Sequence, residues 1–96
     1  MRMFMLMYGG PTPARVPELL ERHGISQYTA FEGGHGAGRT GKREGTRAWP
    51  GETTMLISIV PDERADSLAA ELEQEAKALP PGERLHVAVL PIERFF

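Results

Sequence analysis

From Arg2 to Tyr8 apolar residues occupy almost every position, with Met3, Met5 and Met7 on one parity and Phe4, Leu6 and Tyr8 on the other. Side chains of a strand alternate between two faces, so this segment predicts a central strand covered from both sides. Gly9-Gly10-Pro11 ends it. The spacing then changes: Val16, Leu19, Leu20 and His23 share one face at helical steps. That helix ends at His23, with Gly24 as a left-handed cap. Its start has two readings. Thr12-Pro13 resembles a cap followed by a first-turn proline. An interior Pro17 would remove a hydrogen bond, which favours a start near Pro17 itself.

Residues 26–32 (SQYTAFE) predict a second strand, Tyr28 and Ala30 opposed to Thr29 and Phe31. Residues 53–60 (TTMLISIV) predict a third, with Met55, Ile57 and Ile59 facing one way and Leu56 and Val60 the other. Pro61-Asp62 opens a second helix, with Asp62 as N-cap and Ala65, Leu68, Leu72, Ala76 and Leu79 as its buried stripe. Pro80-Pro81-Gly82 ends that helix. Residues 85–92 (LHVAVLPI) form the last strand, where Pro91 marks an edge or a bend. The order β-α-β-β-α-β predicts an α+β, ferredoxin-like domain: a four-stranded antiparallel sheet with two helices on one face.

Helices on one face leave the other face to alternate toward polar residues. Three of these strands are apolar on both faces, so the helix-free face needs a cover, and a symmetric homo-oligomer supplies one. Size points the same way. A chain of 96 residues makes a single domain, residues 1–96, that buries only about 60% of its unfolded surface. With no cysteine, no disulfide or thiolate–metal site can reinforce it. The net charge of −2 argues against a nucleic-acid binder. The apolar start is too short for a signal peptide, and no stretch approaches a membrane span, so a cytoplasmic protein without membrane insertion is expected.

Residues 33–52 (GGHGAGRTGKREGTRAWPGE) interrupt the periodic elements with seven glycines and little apolar content. A long flexible loop of this kind inside a small domain is commonly functional or disordered. Glycines let backbone N–H groups approach an anion, and Arg39, Lys42, Arg43 and Arg47 add positive charge. A phosphate or an acidic partner surface is the natural complement. The loop joins two strands, so it is neither a P-loop nor a dinucleotide fingerprint. Trp49-Pro50-Gly51 at its return reads first as an anchor for the loop base, with stacking on a ligand base as the other reading.

The element order, the long loop between the second and third strands and the ending VAVLPIE resemble PII signalling proteins and their PII-like relatives. Gly36-Ala37-Gly38-Arg39 resembles the glycine-x-glycine-arginine opening of that family's T-loop, and GTRAWPGE looks closer to a PII-like branch than to the nitrogen regulators. The resemblance implies a homotrimer with an adenine nucleotide (AMP, ADP or ATP) in clefts between subunits, and a target protein contacted by the 33–52 loop. It points to Gly36, Gly38 and Arg39 for phosphate, with Lys42 beside them, and to Thr29 for the base. Arg84 stands where the family's second loop carries a phosphate-binding lysine, although an ungapped count selects His86. The family's arginine-rich C-terminal segment and the modified loop tyrosine have no counterpart here.

CutA-like proteins share the expected fold and trimeric form, which keeps a metal reading open. His35 is its candidate ligand, since a trimer gathers three copies of one histidine. His23 reads as a helix-end cap, and His86 as a strand residue that packs or hydrogen-bonds. An acylphosphatase-like enzyme would need an asparagine on the third strand, and the chain has none. The third strand also lacks the aromatics of an RNA-recognition domain. The expectation is a non-enzymatic regulatory module that senses a small anionic effector.

Overall fold

The computed structural model describes residues 1–38, 41–43 and 53–96. Its elements run β1 (Arg2–Gly9), α1 (Arg15–Arg22), β2 (Thr29–Gly34), β3 (Gly36–Gly38), β4 (Gly41–Arg43), β5 (Thr53–Val60), α2 (Asp62–Lys77) and β6 (Arg84–Pro91). The four long strands make one antiparallel sheet in the order β2-β5-β1-β6. Phe4, Leu6 and Tyr8 of β1, with Leu56 and Val60 of β5 and Leu85 of β6, join Val16, Leu19 and Leu20 of α1 and Ala65, Leu68 and Leu72 of α2 in one buried cluster. Both helices therefore cover the same face, and the ferredoxin-like α+β arrangement is the one that the alternation predicts.

The opposite face follows from the register. Met3, Met5 and Met7 pair with Ile59, Ile57 and Met55 on one side and with Leu90, Ala88 and His86 on the other. The result is a nearly all-apolar grid over three strands, half-buried along β1 and β5 where the helix-side residues are fully buried. β6 lies at the sheet edge, one of the two readings that Pro91 offers, and leaves Val89 and Leu90 exposed.

Local chemistry corrects three boundaries and bears out a fourth. α1 starts at Arg15, which puts Pro17 in the first turn, where amides have no intrahelical acceptor and the missing N–H costs nothing. At its other end Gly24, at φ +80, donates to the Glu21 carbonyl while Ile25 donates to Leu20, the paired bonds of a Schellman cap. Pro61, not Asp62, occupies the N-cap of α2; the Asp62 carboxylate instead meets the Met1 amino group at 2.9 Å. β2 starts at Thr29 rather than at residue 26, and the Gln27 carbonyl ahead of it accepts from the Ser58 hydroxyl at 2.8 Å.

The 33–52 segment is not loop from its first residue. β2 runs on to Gly34 through a bulge that places one extra residue between Phe31 and Gly34, with Gly33 at φ +72. β3 and β4 then pair as a small two-stranded antiparallel sheet, Gly36 opposite Arg43 and Gly38 opposite Gly41. The Trp49 anchor lies outside the described residues. No helix among the described residues is long and apolar enough to cross a membrane.

Candidate functional site

One row of the sheet collects the candidate chemistry. Gly34 of β2 pairs with Thr53 of β5, Thr53 with Gly9 of β1, and Gly9 with Arg84 of β6. The base of the glycine-rich segment and Arg84 therefore stand at the same end of the sheet, about 14 Å apart across three strand spacings. Gly36 and Gly38 continue from Gly34 in β3, and Lys42 lies in β4 opposite Ala37. Arg39 lies outside the described residues. Thr29 is exposed on the helix-free face, opposite Ile57. That position is roughly 13 Å along the strands from the Arg84 row, so one protomer does not bring Thr29 and Arg84 together.

His35 sits alone between β2 and β3, and the described residues contain no group of three His, Asp or Glu side chains fit to hold a metal. His86 is exposed on the helix-free face, opposite Met7. His23 is not a simple cap: its ring bridges the helices, 3.1 Å from Glu75 and 3.5 Å from Glu71, while Arg64 donates to its carbonyl. The Arg64 guanidinium beside Glu71 holds that carboxyl below its ordinary value.

Beside Arg84 lies a cluster that sequence reading missed. The Glu83 side chain is 4% exposed, and both its oxygens are engaged. Arg15 donates through Nε to Oε1 at 2.6 Å and through Nη2 to Oε2 at 2.9 Å, and the Tyr8 hydroxyl donates to Oε1 at 2.5 Å. The same hydroxyl accepts from the Thr12 amide at 3.0 Å. A bidentate pair of this kind is strong and directional. It ties the turn before β6 to the first residue of α1. The Arg15 bond first, and the Tyr8 bond second, hold the Glu83 carboxyl below its ordinary value. Burial, aided by the Glu83 bond, pushes the Tyr8 hydroxyl up.

A carboxyl depressed in the folded state stabilises the fold above its unfolded value, 4.5 for Glu83, and loses that contribution as pH falls through the lower folded value. The thermal midpoint should therefore fall on acidification from about pH 5 to pH 3. Glu83→Gln, which removes this titration, should give a flatter profile by differential scanning fluorimetry. Parallel profiles would show that Glu83 carries none of the acid sensitivity.

Comparisons with known proteins bear on the family and the fold. The family model of nitrogen regulatory protein P-II matches residues 9–93. No curated protein sequence matches the chain. Among solved structures it is similar to CPII, a nitrogen regulatory PII-like protein from Thiomonas intermedia K12 bound to ADP, AMP and bicarbonate, at 22% identity and TM-score 0.66, over 97% of this chain and 88% of that one. The apo form of CPII from the same organism superposes with TM-score 0.58 at 20% identity, over 93% of this chain and 87% of that one. Likeness at such identities concerns the fold; the family model, which takes in both helices, the strands from β2 to β6 and the whole glycine-rich segment, shows that the chain belongs to the P-II family.

Proposed function

We propose that this protein is a non-catalytic, cytoplasmic ligand sensor that binds an adenine nucleotide in clefts between the subunits of a homotrimer and signals to a target protein through the 33–52 segment. The observation that carries the reading is the row Gly34-Thr53-Gly9-Arg84, which sets the glycine-rich segment and an exposed guanidinium at one end of the sheet. The apolar grid on the helix-free face supports assembly, because large exposed apolar patches mark interfaces. Assembly in turn suits the separation of Thr29 from Arg84, since a cleft between subunits draws base and phosphate contacts from two chains. That CPII is bound to ADP, AMP and bicarbonate supports the choice of effector and adds bicarbonate to the candidates.

Isothermal titration of the full chain with ATP, ADP, AMP and bicarbonate tests this. ADP or AMP should give saturable heat at one site per chain. Arg84→Ala and Arg39→Ala should each weaken binding by about 10- to 100-fold, the worth of a charge-assisted hydrogen bond to phosphate. An absence of heat from all the nucleotides, in protein that melts cooperatively, would sink the reading.

A further inference from the structure

Glu83 and Arg84 are consecutive, and both side chains rest on Gly9-Gly10. The Arg84 guanidinium lies 3.1 Å from where a Cβ on Gly9 would stand, and Glu83 Cγ lies 3.0 Å from the same point on Gly10. An acid next to the cation of an anion subsite would ordinarily compete with the anion for it. Here the acid is committed elsewhere: both Glu83 oxygens are taken by Arg15, and one also by Tyr8. Among the described residues no carboxylate lies within ion-pair distance of Arg84. The two guanidinia thus have separate work, with Arg15 neutralising the buried acid and Arg84 left exposed at the end of the sheet, against Gly9.

We propose that Arg15 is a positioning residue: by holding Glu83 against Tyr8 it keeps that carboxylate off Arg84, and the side-chain-free Gly9 seats the Arg84 guanidinium so that it meets a phosphate-type anion. The anion-binding part rests on the sensor reading above. The positioning part concerns the ligand-free protein and stands apart from it.

Two measurements separate them. In ligand-free protein, modification of Arg84 by phenylglyoxal is followed by peptide mass spectrometry. In Arg15→Met the released Glu83 pairs with Arg84 and should slow its modification by about threefold, the scale of a partly exposed ion pair. Equal rates in wild type and Arg15→Met would overturn the proposal, whatever ADP does. Calorimetry with ADP is the second measurement. Arg15→Met should bind about 5- to 20-fold more weakly, as expected when a charge-assisted contact is diverted. Arg15→Met/Glu83→Gln, which has no acid to divert Arg84, should return to near wild-type affinity, and Arg15→Met should cost nothing further in an Arg84→Ala background. A double variant as weak as Arg15→Met would make Arg15 a direct ligand and overturn the proposal, as would an undiminished Arg15 effect without Arg84. If wild type gives no heat with ADP while the Arg84 rate difference persists, the sensor reading fails and the positioning stands.

Discussion

Glu in place of Met5 is expected to dissociate the assembly while leaving the fold intact. Met5 lies at the centre of the helix-free grid, between Ile57 of β5 and Ala88 of β6, and its chain neighbours Phe4 and Leu6 point into the core on the other face. In a lone chain the new carboxylate would face water, and a strand substitution of this kind costs about 1 kcal/mol or less. In a trimer closed on this face the carboxylate would be buried beside two others without a partner. Burying an unpaired charge costs several kcal/mol per group, and like charges add to it. Light scattering after gel filtration should give wild type at three times the 10.6 kDa chain mass and Met5→Glu at the chain mass itself. Circular dichroism should show both folded, and calorimetry should show the variant blind to ADP because the clefts are gone. Wild type eluting at the chain mass would remove the trimer. Unfolding of Met5→Glu would instead place Met5 in the core of the single chain.

The parts of this molecule that were legible in its sequence are those governed by short periods. TTMLISIV states its own two faces, and the structure buries Leu56 and Val60 while leaving Met55, Ile57 and Ile59 half-covered. Gly24 announces the end of α1 because few other residues take a positive φ there at no cost. Ala65, Leu68 and Leu72 are buried as their spacing requires. What escaped was set by partners distant in the chain. Residue 27 reads as strand by alternation, yet its carbonyl is claimed by Ser58, 31 residues away. Pro17 looks like a breaker until the turn at residues 12–14 shows that it lies inside the first helical turn. Arg15 and Glu83, 68 positions apart, leave no periodic trace at all. Arg84 was reached only through the resemblance; its neighbour Gly9, and Thr53 one strand further on, become visible once register joins four strands in one row.

Gly10→Ala should be among the most damaging single-methyl changes in this chain, and comparison with Gly9→Ala should separate folding from binding. A Cβ on Gly10 would stand 2.6 Å from the Tyr8 hydroxyl oxygen and 3.0 Å from Glu83 Cγ, at φ +152, where L side chains are strained. Neither neighbour can retreat: the Tyr8 ring is buried, and its hydroxyl and Glu83 are locked to each other and to Arg15. Overpacking and backbone strain together should cost about 2–4 kcal/mol, a large share of the stability of a domain this small. At roughly 4–8 °C per kcal/mol, the thermal midpoint should drop by at least about 8 °C. A Cβ on Gly9 meets only the far end of Arg84, 3.1 Å away, and that guanidinium is free to swing out. Gly9→Ala should therefore melt within a few degrees of wild type yet bind ADP less well, because the cation has lost its seat. The two adjacent glycines thus answer to different constraints, one to the packing that closes the domain and the other to the position of the charge that the domain presents. Equal and small melting shifts for both variants would mean that the Tyr8–Glu83–Arg15 cluster yields under strain, and a yielding cluster could not hold Glu83 away from Arg84.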